Sequence, residues 1–157
     1  MPMPLRLTIA GQLNAGAFHK AKAVAESAGC ALDLSVVSLQ PADYEEWKAA
    51  LRRELGGLAW RHKAPVACYT EDEFIGDDTA LLAWLRKQRV AFSASALNSD
   101  GKAAGWDELA DAAYLAHLSS TGFSYAFLDL QLDGEPFGPL GFGLYKHLLP
   151  TTVANFE

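Results

Sequence analysis

Two cysteines, four histidines and one glycine-rich run are the residues of this chain that most readily carry chemistry. Their spacing assigns them none. Cys30 and Cys68 are too few and too distant in sequence for a disulfide framework, so both read as reduced thiols. His19, His62, His117 and His147 show no ligand spacing with cysteine or carboxylate, which argues against a metal centre. Ser119-Ser120 lacks the Gly-x-Ser-x-Gly turn that would expose a nucleophile. The run Gly134 to Gly143 lacks the Gly-Lys-Ser/Thr of a phosphate loop. Trp47, Trp60, Trp84 and Trp106 read as core rather than as stacking platforms. The expectation is a chain with no catalytic residue, metal or cofactor of its own.

The elements that would position any site follow from periodicity. In 157 residues, half of them hydrophobic, there is enough apolar side chain for a real core. A net charge of −6 argues against a nucleic-acid partner, whose phosphates require a basic face. Met1 to Pro4 carries no charged leader, and the apolar run Leu5 to Ala10 is too short for a signal or a membrane span, so the expectation is a cytoplasmic chain with no membrane contact. Leu5 to Ala10 alternates as a strand. Ala17 to Ala28 places Phe18, Ala21, Val24 and Ala25 on one helical face before Gly29. Leu32, Leu34, Val36 or Val37, and Leu39 suggest a second strand. Pro41 opens a helix carrying Tyr44, Trp47, Leu51 and Leu55, which Gly56-Gly57 ends. Ala64 to Tyr69 and Glu73 to Ile75 read as strands, and Gly76 with Asp77 or Asp78 starts a helix bearing Leu81, Leu82 and Leu85. The order β-α-β-α-β-β-α predicts an α/β fold with a partly parallel sheet.

Ala91 to Gly105 has the composition of a linker, and Trp106 to Ala116 that of a short helix with Leu109, Ala113 and Ala116 on one face. From Tyr125 a two-residue period returns: Ala126, Leu128, Leu130 and Leu132 point one way, and Tyr125, Phe127 and Gln131 the other. Asp133-Gly134 is a hairpin turn signal, and Leu140, Phe142 and Leu144 share a face of the returning strand. Pro139 deletes a ladder donor, and Gly141 and Gly143 weaken a strand interior, so the ribbon is expected to be poorly made. Pro150 then starts a helix that Thr151 or Thr152 can cap.

This last stretch resembles a named family. Phe127-Leu128-Asp129, Asp133-Gly134-Glu135-Pro136-x-Gly138, Phe142-x-Leu144-Tyr145 and Pro150-x-Thr152-x-x-Asn155-Phe156 are similar to the opening of a cyclophilin, a peptidyl-prolyl cis-trans isomerase. The resemblance implies the first two strands and first helical turn of an eight-stranded barrel, with the chain stopping in mid-helix, and proline-containing peptides or proteins as partners of a complete barrel. In that family the arginine that polarises the prolyl amide nitrogen and the residues lining the apolar pocket lie downstream of the Asn-Phe segment. The barrier to isomerisation is about 18–20 kcal/mol. A chain without those groups is expected to leave that barrier unlowered.

A second resemblance covers roughly the first ninety residues. Trp60-Arg61-His62-Lys63-Ala64-Pro65-Val66 and Glu73-Phe74-Ile75-Gly76-Asp77-Asp78 are similar to the proline turn and Gly-Asp helix start of glutaredoxins, and closer to a glutaredoxin-like segment that precedes a malate-dehydrogenase-like domain. The likeness implies a thioredoxin-like fold with a cis Ala64-Pro65 bond. It places Ala15 at the nucleophilic cysteine's position and Phe18 at the resolving one, so no thiol chemistry is expected. It also implies that Lys20, Pro65, Gly76 and Asp78 line a groove for an extended peptide or a glutathione-like ligand, although Asp77 and Asp78 would repel a carboxylate there and read first as ordinary N-caps.

The expected plan is a thioredoxin-like domain over 1–90, a linker with a short helix over 91–120, and the start of a truncated cyclophilin β-barrel over 121–157. The expected function is that of a cyclophilin-type isomerase, with these 157 residues lacking the catalytic part of the barrel and inactive alone. The alternative is a redox-inert thioredoxin-like adaptor.

Overall fold

The computed structural model describes residues 4–97 and 104–156. They fall into two compact units that divide between Ala113 and Tyr114. Residues 98–103, within the expected linker, and Met1 to Met3 lie outside the described residues.

The first unit runs β1 (Leu5–Gln12), α1 (Gly16–Ser27), β2 (Leu32–Leu39), α2 (Pro41–Leu55), β3 (Val66–Tyr69), β4 (Phe74–Gly76), α3 (Asp78–Lys87) and the start of α4 (Ala104–Ser120). A 3-10 turn at Gly57–Arg61 separates α2 from β3. The sheet order is β2-β1-β3-β4. β1 is parallel to β2 and antiparallel to β3, and β3 is antiparallel to β4. The parallel pair needs a crossover, and α1 supplies it.

Alternation along the strands sorts their side chains between the two faces. Leu7 and Ile9 of β1, and Val66 and Cys68 of β3, join Phe18, Val24, Leu81 and Leu85 in one buried cluster. Each such aliphatic or aromatic side chain contributes about 1.5–3 kcal/mol on full burial. On the other face Thr8, Ala10, Ala67 and Tyr69 are the alternate residues, and α2 contacts β1 and β2. There Tyr44 and Leu51 are buried, and Tyr44, Trp47 and Tyr69 form a chain of rings with centroids 5.6 and 6.1 Å apart. Gly11 lets this layering close, because a Cβ there would fall 2.5 Å from Phe18 Cδ2. α3 adds Trp84 to the expected Leu81 and Leu85, with the indole Nε1–H donating to Glu73 Oε1 at 2.5 Å. The segment read as linker is not bare spacer at its start: Phe92, Ala96 and Leu97 pack against the core.

The second unit contains the end of α4, β5 (Ser124–Leu132), β6 (Glu135–Leu144) and α5 (Pro150–Phe156). β5 and β6 pair antiparallel in a sheet of their own. Asp133 and Gly134 have φ of 52° and 85°, the left-handed values a tight hairpin turn requires. The ladder shifts register at Leu130/Gln131, a bulge. Around Phe123, the rings of Tyr125, Tyr145 and His147 lie 6.3, 5.1 and 5.7 Å away, and the Tyr125 hydroxyl is 2.8 Å from Thr121 Oγ1.

Several expectations are corrected. No described peptide bond is cis, so Ala64–Pro65 is trans. The intrinsic preference before proline is already trans by about 0.5–1 kcal/mol. Both carbonyls are also tied, Ala64 O accepting from Tyr44 Oη at 3.0 Å and Pro65 O from the Gln12 amide at 2.8 Å. In α4 the buried residues are Ala110 and Leu118, while Leu109 is exposed, so the apolar stripe faces differently from the expected one. Thr151 and Thr152 lie inside α5; the carbonyl of Leu149 accepts the first helical bond, from the Val153 amide at 3.0 Å. Trp60 is not core but 60% exposed. The ribbon is also better made than its glycines suggest. Gly141 pairs with Phe127 and Gly143 with Tyr125, and a Cβ on either glycine would meet the opposite ring at 3.2 and 3.6 Å. The aromatic rings cover the space the glycines leave, a known device for glycine in sheets.

Candidate functional site

The groove expected from the sequence draws on three elements of the first unit: the start of α1, the entrance to β3 and the start of α3. The structure brings two of its four residues together. Lys20 Nζ donates to Asp78 Oδ2 at 2.8 Å, with side chains 29% and 16% exposed, so the one lysine of the expected groove is bound internally. Asp77 is the N-cap of α3, its Oδ1 accepting from the Ala80 amide at 2.9 Å. The two aspartates therefore differ: one closes the helix end, the other neutralises a lysine. Pro65 is half-buried and holds β1 through its carbonyl. Gly76 has φ of 128°, a backbone state that side chains resist, and a Cβ there would stand 3.0 Å from Ala80 Cβ.

At the start of α1 the chemistry is equally restrained. Ala15 occupies the N-cap and offers no side-chain cap. Asp107 Oδ1 fills the space a Cβ on Gly16 would need, so a carboxylate lies against the first residue of α1. His19 is half-buried and bonded through Nε2 to Leu13 O at 2.7 Å. The thiols offer no substitute. Cys68 is fully buried in β3, and burial pushes its thiol up, with Asp78 and Asp77 pushing the same way, so it stays protonated. Cys30 is exposed and free, beyond the end of α1.

Behind the proline turn, polar groups are used for structure. Arg52 Nη2 donates to His62 O at 2.9 Å and its Nε to Ala59 O at 3.3 Å, clamping the 3-10 turn to α2. His62 Nε2 meets Val66 O at 2.7 Å, its ring 5.0 Å from Phe74, and burial lowers its pKa. Burial likewise raises the Tyr44 phenol. Lys48 is buried, paired to Glu45 at 2.7 Å and 5.1 Å from the Tyr44 ring. Among the described residues no group of three or more His, Cys, Asp or Glu is placed to hold a metal.

The sequence reading missed a depression of about 330 Å³ on the polar end of the sheet, lined by Arg6, Thr8, Asp33, Ser35, Glu54 and Tyr69 among others. Arg6 crosses it to Asp33 at 3.5 Å and Glu71 at 2.6 Å. The signal was present in the alternation: Arg6 and Thr8 sit between the apolar residues of β1, as Asp33 and Ser35 do in β2, and both pairs lie on the α2 face of the sheet, where Glu54 and Leu55 at the end of α2 border the depression.

In the second unit, β5 and β6 hydrogen-bond only to each other, and no closed barrel forms among the described residues. No helix there or elsewhere among the described residues is long and apolar enough to cross a membrane.

No protein-family model matches the chain. Three curated proteins do, each called "probable inactive peptidyl-prolyl cis-trans isomerase-like 6". The protein from Bos taurus is 27% identical over 98% of this chain and 50% of its own length. Those from Mus musculus and Homo sapiens are each 27% identical over 98% of this chain and 49% of their own. The chain thus spans about half the length of the curated relatives it matches. The match extends across both units, so the relation to isomerase-like proteins rests on more than the hairpin.

Proposed function

We propose that this chain is a non-catalytic part of a cyclophilin-related protein: a redox-inert, thioredoxin-like binding module followed by the opening hairpin of a cyclophilin-type domain. The observation that carries the reading is the sheet of β5 and β6, which has no third strand among the described residues and so offers no enclosed apolar pocket for a prolyl ring. The names of the relatives support it, since each describes a probable inactive isomerase-like protein. The strand order β2-β1-β3-β4 with its parallel β1–β2 crossover supports the thioredoxin-like part. Ala15 at the start of α1 and the buried, protonated Cys68 support redox inertness.

Clients of the full-length protein would be proline-containing segments in the cytoplasm. Lys20, Pro65, Gly76 and Asp78 would contribute a peptide-binding edge only after the Lys20–Asp78 pair opened. A protease-coupled assay on a proline peptide tests the reading. Residues 1–157 leave the isomerisation rate at its uncatalysed value; clear turnover contradicts the proposal.

A further inference from the structure

The 3-10 turn Gly57–Arg61 presents its most apolar residues to solvent. At three residues per turn, residues three apart share a row. Ala59 lies in the buried row and is 1% exposed, so its neighbours in the chain project away from the core on either side. Those neighbours are Leu58, 66% exposed, and Trp60, 60% exposed. Arg61 shares the row of Leu58 and is exposed, and exposed Lys63 follows two residues later. The turn is not loose, because both side-chain bonds of Arg52 pin it to α2. Arg53, the next residue, is exposed too.

Burying this pair would release more free energy than leaving it in water, at roughly 25 cal/mol per Å² of apolar surface. Tryptophan and arginine are also the residue types that most often anchor interfaces. The charges indicate the partner. No ion pair among the described residues neutralises Arg53, Arg61 or Lys63; Glu54 is their acidic neighbour in sequence, and Asp77 acts on His62 between Arg61 and Lys63 without pairing to either. The whole chain carries −6, so this is a cationic patch on an acidic protein.

We infer that Leu58 and Trp60, ringed by Arg53, Arg61 and Lys63, form a docking surface for an acidic protein segment bearing an apolar anchor. An anionic membrane fits less well. Interfacial binding draws on the long apolar face of an amphipathic helix, and the protein's net negative charge opposes approach to such a surface. The surface belongs to the first unit alone and is independent of the isomerase reading.

The test is an amide and indole NMR titration of the full chain with the peptide acetyl-Glu-Leu-Glu-Glu-Leu-Glu-amide, and separately with its lysine-for-glutamate counterpart. The acidic peptide shifts the Trp60 indole and the amides of 52–63, and its affinity falls several-fold between about 0.02 and about 0.3 M salt. The double variant Arg61→Glu, Lys63→Glu weakens it at least about tenfold, and so does Trp60→Ala, with thermal midpoints unchanged because these side chains are exposed. Four outcomes overturn the inference: no perturbation by about 5 mM peptide, perturbation confined to other residues, equal binding of the basic peptide, or a response of Trp60 only to phosphatidylserine-containing vesicles.

Discussion

β1 and β5 are both alternating, leucine-bearing strands, and they meet opposite fates. In β1 the inward residues Leu7 and Ile9 are 1% and 0% exposed, covered by Phe18, Val24 and Leu81. In β5 the corresponding row, Leu128, Leu130 and Leu132, is 48%, 39% and 65% exposed. The difference lies in what stands over the sheet. β1 is an inner strand with helices packed on it, whereas among the described residues β5 has one neighbour and an open edge. Alternation makes a strand, but only a second layer turns its apolar face into stability, and a two-stranded ribbon alone is marginal in water. The ribbon keeps its order by local means instead: a turn of the right handedness, rings laid over glycines, and the aromatic cluster about Phe123.

Substitutions should separate the two sheets sharply. Ile9→Ala opens a cavity in a closed core and costs about 2–5 kcal/mol in denaturant unfolding. Leu130→Ala changes the same measurement by about 0.5 kcal/mol or less. Equal losses would erase the contrast.

A glycine in each sheet sharpens it. Gly11→Ala drives a methyl into the buried Phe18 ring and costs about 1–3 kcal/mol. Gly141→Ala meets Phe127 at 3.2 Å, but that ring is exposed and can swing aside, so the thermal midpoint shifts by no more than about 0.5 kcal/mol implies.

The smallest effect is a pH dependence confined to the first unit. Burial lowers the folded-state pKa of His62 below its ordinary 6.5. As pH falls through 6.5 the unfolded chain takes the proton first. The contribution of neutral His62 is therefore complete above pH 6.5 and is lost as pH drops toward the folded value. Stability measured against pH therefore rises with pH through this window and falls on acidification, and His62→Gln flattens the slope; an unchanged slope in the variant would remove His62 from the account.

The first unit was largely legible because its signals are local and redundant. Phe18, Ala21, Val24 and Ala25 form the buried face of α1 as their spacing required, and Pro41 and Gly56 bound α2 within a residue. What stayed hidden depends on tertiary context. Trp60 looked like core by type, yet the buried row of its turn had room only for Ala59. The stripe of α4 was misjudged because alanine sits on every side of that helix, leaving Leu109 and Leu118 as competing guides. At the candidate groove the residue types were read but not their pairing. Nothing in a sequence separation of 58 residues announces that Lys20 reaches Asp78. The glycines of β6 were counted as defects because the rings that cover them lie across the ladder, a relation visible only once the register is known.

Residue-resolved amide exchange on residues 1–157 tests most directly whether the molecule pairs a closed sheet with an open one. The amides of Ile9, Ala67 and Cys68, central in the four-stranded sheet, exchange only through global unfolding, while those of Phe127 to Leu130 and Leu140 to Phe142 exchange through local opening and at least about a hundredfold faster. Equal protection in both sheets would contradict the account.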